Sequence, residues 1–134
     1  MTKNVNTDNI ENNEIMANIE PAENNEPVAT LGRFTYKFSS PVNYNGTEVS
    51  ELEIDLDALT GRDARAIEEE LKAQGKFTAS PAFDNAYLCK ALAKACKTLV
   101  NEKRIGDDLF LKLGLRDYNK LCGKARAFFI SSEA

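Results

Sequence analysis

The sequence predicts an α+β fold, an N-terminal β-hairpin followed by a three- to four-helix bundle, with a disordered N-terminal tail. Three observations predict it. RFTYKF, residues 33 to 38, alternates polar and aromatic side chains, the period of two expected of a strand with one buried face. From Ala64 onward apolar residues recur at spacings of three and four, as amphipathic helices require. The first 30 residues hold eight asparagines, no aromatic residue and one lysine against six acids, too little apolar area to offset a backbone ordering cost of ~1–2 kcal/mol per residue.

At 134 residues the chain fits one domain with an appendage. Residues 1–30 are read as a disordered, acidic, Asn-rich tail and residues 31–134 as a single domain. The tail has a net charge of −5 and the remainder sums to +1. A weak amphipathic turn through Ile10, Ile15, Met16 and Ile19 is the competing reading of the tail. No apolar run of ~20 residues and no basic, then apolar leader are present, so a soluble, unexported protein is expected.

Each ordered element has its own signal. Phe34, Tyr36 and Phe38 alternate with Arg33, Thr35 and Lys37 on the first strand. Pro41 limits pairing, and Asn45-Gly46 supplies the two residues that tolerate the positive φ of a tight hairpin turn. The returning strand, Thr47 to Leu56, places Leu52, Ile54 and Leu56 on one face with Val49 out of phase, so a bulge is expected near Ser50 or Glu51. An exposed edge of this hairpin offers backbone groups to a partner strand. A lone hairpin is marginal in water, so its apolar face has to pack on the helices or on a second copy of the chain.

LDALTGRDARAIEEEL, residues 56 to 71, reads as a helix start. Thr60 is placed as the N-cap and Asp63 as its partner in a capping box. Leu59 is placed to staple against Ala64, the stripe Ala64, Ile67 and Leu71 faces inward, Glu68 precedes Lys72 by four residues, and Gly75 is the left-handed stop. Ser80 and Pro81 announce a second helix. Its stripe runs through Leu88, Ala91, Leu92, Ala95, Cys96, Leu99 and Val100, which makes it the central helix, with Lys90, Lys94 and Lys97 away from the stripe. GDDLFLKLG reads as a short helix capped by Asp107 or Asp108, packing Leu109, Phe110 and Leu113. The last helix starts near Leu115 and buries Tyr118, Leu121, Cys122, Ala125, Phe128 and Phe129. Arg116, Lys120 and Lys124, at four-residue spacing, form its exposed basic ridge.

Composition argues against catalysis. Histidine is absent, which removes the usual general base near neutral pH and the commonest zinc ligand. Cys89, Cys96 and Cys122 are odd in number and never form CxxC, so neither a disulfide framework nor a metal knuckle is suggested. The alternating acids Glu51, Glu53, Asp55 and Asp57 resemble metal ligands but fit the solvent face of a strand. Glu68, Glu69 and Glu70 splay across ~200° of helix surface rather than converging. An enzyme would have to be built from carboxylates such as Asp63 and Glu68 with Cys89 or Cys122 as nucleophile, and a buried thiol without a nearby base stays inert. No catalytic residue, metal or cofactor is therefore expected. Residues 84–134 carry ten Lys and Arg against six acids, net +4, so a small nucleic-acid-binding regulator using the basic helices is the alternative; it sits poorly with a pI near 5.0 and the absence of a Gly-rich phosphate loop.

The segment FTYKFSSPVNYNGTEVSELEIDLDALTGRDARAIEEELKAQG resembles the opening of the tail assembly chaperones of tailed bacteriophages: a strand, a Pro, a Gly-containing turn, a second strand and an LTGRD helix start. AYLCKALAKAC and LGLRDYNKLCGKARAFF resemble that family's second and closing helices, so the similarity runs in order over roughly residues 33 to 130. The acidic tail departs from the family pattern. The resemblance implies a non-enzymatic protein of the host bacterial cytoplasm that coats the helical tape measure protein and helps tail tube subunits polymerise around it. In many such phages a translational frameshift yields a longer version with a C-terminal extension, and the resemblance implies that this chain, ending at FFISSEA, would be the shorter product. Arg116, Lys120 and Lys124, with the hairpin surface, are the candidate partner-binding regions, and a second copy of the chain is a further candidate partner.

Overall fold

The computed structural model describes residues 31–132, and the disorder expected of residues 1–30 falls outside them. Alternation produces the expected hairpin. Strand β1 (Arg33–Tyr44) pairs antiparallel with β2 (Thr47–Asp55) across Asn45 and Gly46, whose φ values of 52° and 87° make the turn that matches strand twist. Tyr36, Phe38, Tyr44, Val49, Leu52 and Ile54 are buried, while Arg33, Thr35 and Lys37 face solvent.

The register breaks where the phase of Val49 requires it, with the excess residues on the other strand. Arg33 to Lys37 pair with Asp55 to Glu51, and Val42 to Tyr44 pair with Val49 to Thr47, so Phe38–Pro41 of β1 stand opposite Ser50 alone. Pro41 has no N–H to give to a ladder, which places the irregularity in β1.

Helix α1 (Gly61–Ala73) begins at the expected capping box: Thr60 N–H donates to Asp63 Oδ2 at 2.8 Å and Asp63 N–H donates to Thr60 Oγ1 at 3.4 Å. Ile67 and Leu71 face inward. Gly75, at φ 78°, stops the helix; Lys76 N–H reaches the Leu71 carbonyl and Gly75 N–H the Lys72 carbonyl, the paired bonds of a Schellman end. Lys72 approaches Glu69 at 4.0 Å instead of the expected Glu68.

Helix α2 (Asn85–Ala95) starts later than Ser80-Pro81 suggests. Pro81–Phe83 form a separate 3-10 turn in which the Ser80 side chain caps nothing. Asp84 is the cap, its Oδ1 accepting from Ala86 N–H at 2.9 Å and Tyr87 N–H at 3.4 Å. α2 is the central helix, buried almost all round from Tyr87 to Ala95. Lys90, expected on a wet face, is therefore buried, its Nζ 3.2 Å from Asp107 and 3.5 Å from Glu70. The helix does not continue to Val100: Cys96 bridges to Ile54, and a small hairpin follows. Its strands β3 (Leu99–Val100) and β4 (Lys103–Arg104) turn on Asn101 and Glu102 at φ 53° and 65°.

Asp107–Lys112 is a 3-10 helix that buries Leu109 and Phe110 but is not capped by either aspartate. Both carboxylates are taken elsewhere: Asp107 pairs with Lys90, and Asp108 Oδ1 accepts the Tyr44 hydroxyl at 2.7 Å. Helix α3 (Leu115–Ser132) buries Leu121, Cys122 and Ala125 and leaves Tyr118, Phe128 and Phe129 half-buried. α2 packs against α1, α3 and β2, and α3 packs against β1. The hairpin's apolar face is thus covered by the helices of its own chain, with Leu52 and Leu92 among the fully buried side chains.

Candidate functional site

The four-residue repeat on α3 delivers what it predicts: Arg116, Lys120 and Lys124 are all exposed. Three contacts fix where that ridge lies. Near the start of α3, Asp117 Oδ1 accepts the Tyr36 hydroxyl at 2.7 Å, and its Oδ2 accepts the Ser39 N–H at 3.1 Å and the Ser39 hydroxyl at 2.8 Å. Further along, the Lys124 ammonium stands 5.0 Å from the Phe34 ring centroid, within cation–π range. At the far end, a Cβ on Gly32 would meet the Phe128 ring and the Asp57 carboxylate, each at 2.8 Å, so a larger residue there would push these side chains aside. Residues 117 and 124 meet β1 at 36–39 and 34, and residue 128 lies by Gly32 just before it, so α3 runs antiparallel beside β1.

Asp117 is the buried carboxylate of this junction. Burial alone would raise its pKa, but the hydrogen bonds from Tyr36 and Ser39 outweigh it, and with the charge of Lys120 they hold the carboxyl below its ordinary value. The same burial and hydrogen bond push Tyr36 up to about 12. Lys120 thus belongs both to the exposed ridge and to the field around the anchor.

The second basic face expected, on α2, is consumed within the chain. Lys90 is buried between Glu70 and Asp107, Lys94 pairs with Glu70 at 3.2 Å, and Lys97 pairs with Asp55 at 3.6 Å. By contrast, Arg116, Lys120 and Lys124 make no ion pair among the described residues. A cleft of about 310 Å³ is lined by Asp63, Glu70, Lys90, Lys94, Arg104 and Asp107, three cations matched by three carboxylates.

Asp63 and Glu68 do not meet. Asp63 lies at the Lys94–Arg104 cleft, whereas Glu68 lines a groove with Lys72, Lys76 and Phe77. Cys89 and Cys122 are buried against each other at 3.9 Å between sulfurs, and that contact together with burial pushes the Cys89 thiol up. Cys96 borders a shallow groove that Asp63 also lines, but it is buried, and burial raises its thiol as well. The acids of β2 form no converging metal-binding group, and none exists among the described residues.

Sequence reasoning missed Asp117 and Lys90, which look like ordinary helix-surface charges. It also missed two exposed aromatics in the loop before α2, Phe77 at 88% and Phe83 at 68% exposure. Arg126 lies over the Phe83 ring at 5.9 Å and donates to Asn85 Oδ1 at 2.8 Å. The KFTASPAFD spacing hinted at these aromatics, since no apolar periodicity assigns either one to a core face.

Fold and surface together define a small α+β domain whose described helices include none long and apolar enough to cross a membrane. No family model matches the chain, and searches of curated proteins and of solved structures return no match.

Proposed function

We propose that the chain is a tail assembly chaperone of a tailed bacteriophage, acting without catalysis in the host bacterial cytoplasm by binding the tape measure protein while tail tube subunits polymerise around it. Two kinds of support converge. The family-like pieces run in order from Phe34 through the closing helix, and their elements follow one another as hairpin, α1, α2 and α3. The observation that carries the proposal is the α3 ridge. Arg116, Lys120 and Lys124 are left solvent-facing beside β1, while Lys90 and Lys94 of α2 and Lys97 just after it are held by carboxylates. A cationic row with no ion pair among the described residues suits an acidic polypeptide surface, which it would attract at long range. A nucleic-acid regulator would need the basic face of α2 as well, and that face is neutralised internally.

The test is co-expression with a fragment of a tape measure protein. The fragment should become soluble and co-purify with this chain. A fragment equally soluble with and without it would reject the proposal.

A further inference from the structure

We propose that the outer edge of β1, from Arg33 to Lys37, is a docking edge for an extended segment of a partner polypeptide that carries carboxylates at alternate positions. In an antiparallel pair, directly opposed residues alternate between those that exchange backbone hydrogen bonds and those whose N–H and C=O groups point outward. On β2 the outward-pointing residue is Glu53: its carbonyl accepts from Lys97 N–H at 2.8 Å and its N–H donates to Thr98 Oγ1 at 2.9 Å. With the Ile54–Cys96 bridge, these bonds cover the β2 edge around Glu53 and Ile54. Thr35 is directly opposite Glu53, and Arg33 and Lys37 stand two residues to either side, opposite Asp55 and Glu51. All three therefore turn their backbone groups away from β2, and among the described residues nothing receives them. The edge has a defined end, because the next outward N–H, that of Ser39, is taken by Asp117.

Charge selects the occupant. The solvent face of the hairpin sets Asp55 against Arg33 and Glu51 against Lys37, so an incoming strand with acids opposite Arg33 and Lys37 would continue a ladder of alternating sign. Lys124, over the Phe34 ring, and Lys120, whose charge is felt by Asp117, add positive charge from α3 in the neighbourhood of β1. A second copy is disfavoured by the same geometry. Antiparallel β1–β1 pairing that uses the whole edge centres on Thr35 and sets Arg33 of each copy against Lys37 of the other, a like-charge opposition. The edge stands independently of the chaperone proposal, since any extended acidic segment meets its requirements.

The test uses the full chain and a short, capped, fluorescent peptide alternating glutamate with valine, followed by fluorescence anisotropy. Thr35→Pro deletes the central outward N–H without removing a β1–β2 bond, and proline is tolerated on strand edges. It should weaken binding by ~10-fold or more with an unchanged circular dichroism spectrum. Arg33→Glu with Lys37→Glu should weaken it comparably and transfer binding to a peptide with lysine in place of glutamate, a result that does not depend on how the proline variant folds. Wild-type protein binding the lysine peptide as well as the glutamate peptide would overturn the proposal. So would undiminished binding by a folded Thr35→Pro variant. A wild-type dimer that Thr35→Pro dissociates would assign the edge to a second copy instead.

Discussion

Asp117 and Tyr36, 81 residues apart in sequence, share a 2.7 Å hydrogen bond that ties the first turn of α3 to the middle of β1. The same carboxylate takes the N–H and hydroxyl of Ser39, where the hairpin register breaks. Asp117 thus holds in place the one stretch of β1 that the strand ladder leaves unpaired, and with it the position of the basic ridge beside the strand. Replacing Asp117 by Ala strands the Tyr36 hydroxyl and the Ser39 N–H and should cost about 3 kcal/mol in urea unfolding, against about 1 kcal/mol for Tyr36→Phe. Equal losses for the two variants would contradict the anchor role.

The lowered carboxyl of Asp117 also sets a pH signature. Its folded pKa lies below its unfolded value, so its contribution is fully present above pH ~4 and is lost as pH falls through the folded pKa. Tyr36 works in the opposite sense: raised to about 12, its contribution is present below pH ~10 and is lost as pH rises through the folded value. Urea midpoints measured from pH 5 to pH 3 should fall more steeply for wild type than for Asp117→Asn. A residual slope should remain, because Asp84 is also held low, first by the Thr78 hydroxyl, and Asp63 by the Thr60 backbone.

Local signals were legible and long-range ones were not. The aromatic alternation of β1, the Asn45-Gly46 turn, the Thr60–Asp63 box and the Gly75 stop each depend on residues a few positions apart, and each forms as read. So does the exposed ridge of α3, because Arg116, Lys120 and Lys124 need only helical spacing. Lys90 was misread for a different reason. Its position on α2 looks solvent-facing by period, but α2 is enclosed on nearly every side, and the carboxylates that make burial tolerable come from Glu70 and Asp107. The β3–β4 hairpin escaped notice because Asn101 and Glu102 take positive φ without a glycine to announce it. The sequence pointed to an exposed hairpin edge but not to which one: Cys96–Thr98 take the β2 side at Glu53 and Ile54, a tertiary placement that no local pattern encodes.

Lys90 should show an asymmetry typical of buried ions. Lys90→Met leaves Glu70 its bond to Lys94 and Asp107 half exposed, so stability should stay level or rise, whereas Glu70→Gln with Asp107→Asn leaves the ammonium buried without a counter-charge and should cost about 3 kcal/mol. Chemical denaturation of both variants decides it. A large loss in Lys90→Met would mean that the ion pairs contribute net stability.

The start of α2 can be located by two alanine substitutions. Asp84→Ala removes the acceptor of the Ala86 and Tyr87 N–H groups and should lower stability by about 1 kcal/mol, while Ser80→Ala should change it by a few tenths at most. Thermal melts that rank the two the other way would restore the earlier helix start.

The thiols provide a check on the non-catalytic proposal. Cys89, Cys96 and Cys122 are all buried; the Cys89 and Cys96 thiols are pushed up, while the contact with Cys89 holds Cys122 down, so slow reaction rests on enclosure for all three. Labelling with a chromogenic disulfide should be slow in buffer and fast in denaturant. Rapid labelling of one cysteine in the folded protein would point to an activated nucleophile.

The most direct test of action through the α3 surface is calorimetric titration of a tape measure fragment into wild-type protein and into the variant carrying Arg116→Glu, Lys120→Glu and Lys124→Glu. Binding by wild type should weaken as salt rises, and the triple variant, with its fold intact by circular dichroism, should bind ~10-fold or more weakly. Equal affinity for the two proteins would contradict the assignment of this ridge as the partner-binding surface.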